Sequence, residues 1–411
     1  MVTRRDFLVV AATLAAAPSV RAWAQPAADA RGGPILVTLF LRGGMDSLAM
    51  VAPVDDADYV ACRPPEVRLL ADGDKQALRL DGGPPHADFR LHPEMAPLHA
   101  LYQAKRVAIV HAAGISNGTR SHFAAQELME HGLAEPQDGS HIRGGWMARW
   151  LGATGADRLP AFAATSAPPD ALALHADTIC ATDLRGGMNV PGGKQATQVL
   201  ERLFAADTGS VGAAARRTLG GVHLIDGHLR EADGKVAPYH ADNGAAYEDS
   251  EIGRGLQSVA RVIRMELGIR AFCVDMGGWD THENQPPRFA TLSGQLARAI
   301  DAFHQDLHDR WDDVVLIVMS EFGRRLRSNK SNGTDHGHGG LMLVSAPGIQ
   351  GGRIHGAWPG LSSAKLDNEV DLAVTSDVRS VLAELMKGPL RTPQAPATVF
   401  PGYNPLRIGL V

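Results

Sequence analysis

Side chains that commonly bind metal ions follow several short apolar runs of this 411-residue sequence. Carboxylates and imidazoles do chemistry when they converge, because together they can hold a metal ion or move protons. The candidate metal ligands, in chain order, are Asp46, Asp275, Asp280, His282, Glu321, Asp335, His336 and His338. Their mixture of carboxylate and imidazole suits zinc, manganese or iron better than calcium.

Each of these side chains lies at or near the end of a predicted strand. Ligands of open parallel sheets bind beyond the carboxyl ends of the strands, so segments distant in sequence can meet there. An Asp after one strand is more often a turn or cap residue, and Asp-x-His alone is more often a surface loop. Asp335-His336-Gly337-His338 is more specific, since glycines let neighbouring side chains face one ion. Together the segments predict a site for one or two divalent ions, with zinc as the first expectation.

A candidate nucleophile stands where a predicted strand gives way to a helix. Ser121 opens this helix, where free backbone N–H groups and the positive end of the helix dipole stabilise anions. The hydroxyl could attack an ester beside a metal ion, and Arg120 could hold two oxygens of a phosphate or sulfate. The alternative is a serine that only caps the helix.

Continuous apolar runs alternate with helical periodicity over most of the chain. The predicted strands cover residues 35–41, 106–112, 269–276, 313–319 and 341–345. The predicted helices cover residues 91–104, 121–132, 250–267, 289–310 and 376–387. This alternation predicts an α/β fold with a mostly parallel central sheet and helices on both faces.

The first 24 residues are typical of a twin-arginine signal peptide. Arg4 and Arg5 precede a short apolar run, and the cleavage pattern Ala22-Trp23-Ala24 follows it. The alternative is a membrane anchor, but the run is too short to cross about 30 Å of hydrocarbon. We therefore expect the twin-arginine translocase to export a folded chain to the periplasm or beyond. A short linker, 25–34, would lead to a single domain, 35–411.

Charge and cysteine content exclude other classes of protein. The signal peptide carries a net +2, so a chain of net charge −5 becomes more acidic on cleavage, which gives no reason to expect nucleic acid. No further apolar stretch is long enough to span a membrane. Cys62, Cys180 and Cys273 are odd in number and do not form a disulfide framework.

Five motifs in sequence order resemble the domain-of-unknown-function family 1501, which is grouped with the alkaline-phosphatase-like superfamily. They are Leu41-Arg42-Gly43-Gly44-Met45-Asp46, Arg120-Ser121-His122-Phe123, Gly277-Gly278-Trp279-Asp280-Thr281-His282, Ser320-Glu321-Phe322-Gly323-Arg324 and Thr334-Asp335-His336-Gly337. The resemblance implies an alkaline-phosphatase-like fold and phosphatase, sulfatase or phosphomutase chemistry. It also implies that Asp46 is a ligand after the first strand and that Ser121 is the nucleophile.

The sequence departs from the phosphatase pattern at two places and from the sulfatase motif at a third. Asn284 stands where those enzymes carry a histidine, and Glu321-Phe322 replaces their Asp-His pair. Cys62-Arg63-Pro64-Pro65-Glu66 approaches the sulfatase motif C-x-P-x-R but ends in glutamate, which argues against a formylglycine sulfatase. The sequence therefore favours one metal site over two.

Three functional hypotheses remain from the sequence. The first is a metal-dependent hydrolase of phosphate or sulfate esters, acting on a small-molecule or polymer substrate through Ser121. The second is a non-catalytic exported protein that keeps the fold for binding or for assembly at the cell surface. The third is an oxidoreductase with an iron or copper site, for which no electron-relay motif is visible.

Overall fold

The computed structural model describes residues 33–136, 142–154, 161–175, 177–188, 190 and 192–411. The predicted signal peptide, 1–24, and most of the predicted linker, 25–34, lie outside the described residues. Within the described part of the chain, no helix combines the length and the apolar character that crossing a membrane requires.

Most strands belong to one large sheet that is built around the first of them. The strands, in chain order, are β1 Ile35–Leu41, β2 Val51–Pro53, β3 Leu78–Arg79, β4 Phe89–Leu91, β5 Ala108–Gly114, β6 Ala161–Ala164, β7 Thr178–Cys180, β8 Ala271–Met276, β9 Val314–Met319, β10 Arg324–Ser328, β11 Thr334–His336, β12 Gly340–Ser345, β13 Ile354–His355 and β14 Ser376–Asp377. The large sheet has the order β13-β5-β12-β9-β1-β8-β6-β7, with β14 also paired to β5. Strands β2, β4 and β3 form a small second sheet, and β10 and β11 form a hairpin.

The large sheet is parallel except at β12. Strand β1 pairs in parallel with β8 and β9, and β6 continues the parallel order on the β8 side. Strand β12 is antiparallel to both of its neighbours, β5 and β9. The chain therefore enters β12 at the same edge where it leaves β1, β5, β8 and β9, and the loops next to these five strands meet at that edge.

Helices cover both faces of this sheet. They are α1 Ser47–Met50, α2 Ala57–Cys62, α3 Ala96–Gln103, α4 His122–His131, α5 Trp146–Ala153, α6 Gly193–Ala205, α7 Ser210–Leu229, α8 Glu251–Arg264, α9 Gln285–Asp306, α10 Val378–Lys387 and α11 Ala395–Val399. Short 3-10 helices lie at Pro93–Met95, Asp170–Leu172, His308–Asp313 and Ser363–Lys365.

Alternation along β1 shows how the sequence divides the core. Val37 and Leu39 point into one apolar cluster with residues of α8 and α9. Leu36 and Phe40 point into a second cluster with residues of α4, α5, α10 and α11. Because successive side chains of a strand face opposite sides, a strand covered on both faces must be apolar at nearly every position. The predicted α/β fold, a mostly parallel sheet with helices on both faces, is confirmed.

The sequence patterns located the central elements better than the peripheral ones. Strand β1 has its predicted bounds, and the other four predicted strands are observed within two residues of theirs. The stretch 326–340, which lies between two predicted strands and contains no predicted element, carries part of the β10–β11 hairpin. Helix α6 was not predicted, and its apolar residues Val199 and Leu203 stay exposed, so it lacks the buried apolar face by which a helix is recognised in a sequence.

Asp46, which the sequence predicts as a metal ligand, has a structural role instead. Its carboxylate is completely buried and forms a bidentate ion pair with Arg63, with N–O distances of 2.8 and 3.0 Å. The amide of Gln285 donates to Oδ2 at 2.7 Å, and the backbone N–H groups of Leu48 and Ala49 donate to Oδ1. Since protein donors already surround both oxygens, this carboxylate is not available to a metal ion. It caps α1 and joins that helix to the chain after α2.

We predict that Arg63→Ala lowers the free energy of unfolding by about 3–5 kcal/mol, because it leaves the Asp46 carboxylate buried without its counter-charge. Urea titration followed by circular dichroism measures this change. Arg79→Ala is the matched control, since Arg79 and Asp81 form a solvent-exposed pair and its loss should cost under about 0.5 kcal/mol. Equal stability of the two variants would contradict the structural role of Asp46.

Candidate metal centre

Four side chains from three segments meet at the sheet edge that collects the five loops. Asp280 and His282 follow β8, His336 ends β11, and His122 is the first residue of α4. The Nε2 atoms of His282 and His336 are 2.8 Å apart, and they lie 3.0 and 3.2 Å from Oδ1 of Asp280. His122 Nε2 lies 3.5 Å from Oδ2 of the same carboxylate. His122, Asp280 and His336 also offer ligand atoms that all lie within 4.8 Å of one another.

The other nitrogen of each imidazole contacts an oxygen that can only accept. His122 Nδ1 lies 2.8 Å from Oε1 of Glu321, and His282 Nδ1 lies 3.1 Å from Oδ1 of Asp335. His336 Nδ1 lies 2.8 Å from the backbone carbonyl of Arg120. Ionised carboxylates and carbonyls have no proton to give, so each Nδ1 must carry the hydrogen.

Three lone pairs therefore face one carboxylate. In the neutral form of each ring, Nε2 has no proton, and His122 Nε2 is buried without a hydrogen-bond partner among the described residues. Lone pairs that converge on a carboxylate repel one another unless a proton or a metal cation lies between them. The spacings among Asp280, His282 and His336 are 2.8–3.2 Å, and His122 lies 3.5 Å from Asp280, so these four spacings are close to the distance of about 3.4 Å expected between neighbouring zinc ligands. These residues fit a metal ion, and each imidazole has the outer acceptor that metal-binding histidines usually have.

Asp280 is held in its ionised form. Burial alone would raise the pKa of this carboxyl, but the hydrogen bond and charge of Arg324 outweigh burial, and His336 and His282 add to them. The pKa of Asp280 falls to about 2 as a result. Half of the side chain stays accessible to solvent, so the carboxylate is both charged and reachable.

Arg324 fixes the positions of the loops around this carboxylate. Its fully buried guanidinium donates to Oδ1 of Asp280 at 2.5 Å and to the carbonyls of Gly43, Gly44 and Thr334 at 2.6–2.7 Å. Gly43 makes this approach possible, because a Cβ atom there would lie 2.5 Å from the backbone nitrogen of Asp280. The loops after β1 and β8 and the β10–β11 hairpin are thereby tied to one charged group.

Glu321, another predicted metal ligand, orients His122 instead. Its carboxylate is inaccessible to solvent and accepts from the backbone of Gly43, from His122 and from Gln126 at 2.8–2.9 Å. Burial raises the pKa of Glu321, but the hydrogen bonds from His122 and Gln126 outweigh it and lower the pKa overall. In turn, the hydrogen bond to Glu321 raises the pKa of His122.

The remaining predicted ligands are placed around the cluster rather than in it. Asp335 accepts from His282 and from Asn329, and these bonds lower its pKa despite some burial. Asp275 pairs with Arg42 at 3.0 Å. His338 is buried, with Nδ1 2.8 Å from Asp367 and Nε2 2.9 Å from the carbonyl of Ile115, so both ring nitrogens are engaged outside the cluster. Asp275 and His338 are thus not brought to the ligand position that the sequence predicted for them.

Ser121 and Arg120 lie beside the cluster but differ in what they offer. Ser121 stands at the N-cap of α4, exposed to solvent, and its hydroxyl makes no capping hydrogen bond. The guanidinium of Arg120 is ion-paired with the buried Asp371. Arg120 reaches the site through its backbone carbonyl, which contacts His336. The sequence instead predicted that its side chain binds phosphate or sulfate oxygens.

His122 is the site residue that sequence reasoning missed. It lies inside the Arg-Ser-His-Phe motif, in which only Arg120 and Ser121 have a predicted role. The usable signal was a histidine in the first turn of a helix that follows a strand of the same sheet edge. The partner Glu321, 199 positions further along the chain, carried no local sign that it would face this imidazole.

Comparison with solved structures found several remote likenesses. The C-terminal periplasmic domain of EcEptC from Escherichia coli, solved in complex with zinc, has 9% identity and a TM-score of 0.34, over 77% of this chain and 74% of that one. The lipoteichoic acid synthase LtaP from Listeria monocytogenes has 9% identity and a TM-score of 0.33, over 78% and 67%. The phosphonate monoester hydrolase of Agrobacterium radiobacter has 9% identity and a TM-score of 0.33, over 87% and 73%. At TM-scores below 0.5 these likenesses assign neither residues nor a reaction to this chain.

Comparison with curated proteins found no match. Comparison with protein families found one: residues 228–392 match the family described as Protein of unknown function (DUF1501). The matched segment includes Asp280, His282 and His336, whereas His122 and Ser121 precede it. Over residues 228–392, therefore, the family resemblance inferred from the motifs is confirmed.

Proposed function

We propose that this chain is a metal-dependent hydrolase of phosphate or sulfate esters that holds its metal through His122, Asp280, His282 and His336. The observation that supports this most is the convergence of three Nε2 lone pairs on one ionised carboxylate. A set of three nitrogens and one oxygen suits zinc first, with manganese or iron as alternatives. We place one ion per chain here, because Asp46, Asp275 and His338 are engaged elsewhere.

The surroundings of the cluster support hydrolysis of an anionic ester. A bound divalent ion would polarise an ester oxygen and stabilise the negative charge that develops on it. The side chains of Asp280 and His282 are 48% and 42% exposed, so a substrate can reach them. Ser121 would attack the phosphorus or sulfur, the bond to the leaving oxygen would break, and water would then release the enzyme-bound group.

The route to the site of action is part of the same proposal. The twin-arginine signal would carry the chain across the membrane after folding, so the translocase is an expected partner and the periplasm or exterior the expected location. A metal centre built from three distant segments suits such a route, because the ligands come together only in a folded chain.

One observation favours a second candidate, a non-catalytic metal-binding protein of the cell surface. Structural zinc sites are closed by four protein ligands, whereas catalytic sites keep one position open. Four side chains surround the proposed ion, and together they could close a tetrahedron. Exposure of Asp280 and His282 favours the hydrolase, and the number of ligands favours the binding protein.

We predict that the protein, purified without chelators, contains about one zinc ion per chain. His122→Ala, Asp280→Ala and His336→Ala should each lose most of it, because each removes a ligand, whereas His338→Ala should keep it. Elemental analysis by mass spectrometry measures the content, and thermal melting checks that each variant is folded. A wild-type protein that binds no zinc, manganese or iron even after reconstitution would refute the metal centre.

We predict that bound metal is lost as the pH falls and is retained as it rises. Protons compete for the imidazoles, and the hydrogen bond to Glu321 raises the pKa of His122, so this ring takes up its proton at a higher pH than an isolated histidine. Glu321→Gln removes the negative charge, so the pKa of His122 in the metal-free protein should fall. Zinc affinity at high pH, where the ring is neutral in both proteins, should weaken about 10- to 100-fold, because the ring is less well oriented. The ring nitrogen shifts of ¹⁵N-histidine-labelled protein across the pH range measure the pKa, and a fluorescent zinc chelator measures the affinity; an unchanged pKa of His122 in Glu321→Gln would contradict the assignment.

We predict that Ser121→Ala lowers kcat for a p-nitrophenyl phosphate or sulfate ester by about a thousandfold or more, with the metal content unchanged. Ser116→Ala is the matched control, since Ser116 is an exposed serine of the same loop. Full activity in Ser121→Ala would leave the hydrolase but remove the serine from its mechanism. A metal-loaded wild-type protein that cleaves neither ester would instead support the non-catalytic alternative.

A further inference from the structure

A tight turn outside every sequence motif lies next to the proposed metal centre. The backbone N–H of Val370 donates to the carbonyl of Asp367 at 3.1 Å, and Asp367 and Asp371 face each other as a short antiparallel bridge. Asn368 and Glu369 at the tip have φ values of 48° and 60°. Positive φ is unfavourable for a glutamate. The surrounding contacts must therefore hold the turn in this form.

The two aspartates that flank the tip each bind a segment of the centre. Asp367 contacts Nδ1 of His338, whose Nε2 contacts the carbonyl of Ile115 just beyond β5. Asp371 is fully buried and ion-paired with Arg120, in the loop between β5 and α4. The turn is thus attached to the segment that carries His336 and to the loop that leads to Ser121 and His122.

The ion pair between the buried Asp371 and the partly exposed Arg120 is poorly suited to stabilising the fold. Nε of Arg120 and Oδ1 of Asp371 are buried without hydrogen-bond partners among the described residues. Burial raises the pKa of Asp371, and the attraction of Arg120 does not overcome it. A buried pair that leaves polar atoms unsatisfied contributes little net stability, and its value lies in fixing positions.

The position that this pair fixes is the carbonyl of Arg120. This carbonyl accepts from Nδ1 of His336 at 2.8 Å and so keeps the Nε2 lone pair of His336 directed at Asp280. Asn117 of the same loop bonds to Glu135 and the carbonyl of Ile115 contacts His338, whereas the ion pair with Asp371 is the contact made by residue 120 itself. If the Arg120 side chain came free, the carbonyl would move and the ring would lose the partner that selects its tautomer.

We infer that Asp371, acting through Arg120, is a positioning residue that sets the tautomer and orientation of His336 for metal binding. The inference rests on the proposed function in assigning His336 as a ligand. It also changes the role of Arg120: its side chain holds the loop before α4 to Asp371 and does not bind substrate oxygens.

The test has one readout that needs no metal and one that does. The first is the tautomer of His336 in the metal-free protein, read from the ring nitrogen shifts of ¹⁵N-histidine-labelled protein and assigned with His336→Ala. The second is zinc affinity, measured by competition with a chromophoric chelator. The variants are Asp371→Ala, Arg120→Ala, the double variant and Arg120→Lys, which keeps a charge for Asp371. Asp306→Ala is the control, since Asp306 is another fully buried aspartate paired with an arginine, Arg264.

Wild type should show His336 with its hydrogen on Nδ1, and both alanine variants should shift it toward a mixture of tautomers. Zinc affinity should fall about tenfold in each alanine variant. The double variant should be no worse than either, because the two residues act as one unit. Arg120→Lys should recover part of the wild-type tautomer.

A folded Asp371→Ala protein with the wild-type tautomer would overturn the inference. So would an equal tautomer shift in Asp306→Ala, because it would trace the effect to general destabilisation. If the wild-type protein bound no metal, the proposed function would fail, yet the tautomer readout would still decide the role of Asp371. The two failures are therefore distinguishable.

Discussion

The structure of the site depends on a single buried positive charge. A guanidinium taken out of water must satisfy its donors within the protein. Arg324 does so with the carbonyls of Gly43, Gly44 and Thr334 and with the carboxylate of Asp280. These partners belong to the loops after β1 and β8 and to strand β11, so the charge cannot be satisfied unless all three segments are in place. The same interaction leaves Asp280 ionised and half exposed, which makes it the group around which the imidazoles gather.

The carboxylates at this edge of the sheet have separate roles, which their partners decide. Asp46 faces Arg63 in the interior and braces a helix. Glu321 and Asp335 face imidazole Nδ1 atoms and orient rings. Asp280 alone faces both an arginine and the Nε2 side of the rings. Asp280 thus faces the Nε2 atoms of the imidazoles, whereas Asp46, Glu321 and Asp335 hold the surrounding elements and rings in position.

Sequence reasoning could find the edge where the site lies, but not this division of roles. The apolar runs that become β1, β8 and β9 are long and continuous because both faces of each strand are buried, so their ends are visible in the sequence. Whether Glu321 binds a metal or a histidine depends on His122, whose approach is set by the packing of α4 and not by any local pattern. The direction of β12 was equally hidden, since an apolar run reads the same in a parallel and an antiparallel strand. That direction brings His336 to the site and takes His338 past it, to Ile115 and Asp367.

The place of β12 in the sheet also affects when the side chains of the candidate site can come together as the chain folds. This strand fills the gap between β9 and β5, and its residues 340–345 close the sheet around segments made much earlier. The contacts that define the site join residues up to 281 positions apart, as between Arg324 and Gly43. Such distant pairings form late in folding, because the entropy lost in ordering the intervening chain comes before the stabilisation that the contacts provide. A chain in which β12 has not yet paired with β9 and β5 therefore has the histidines but not the assembled cluster, so a metal ion held as proposed would bind only after this part of the sheet has folded.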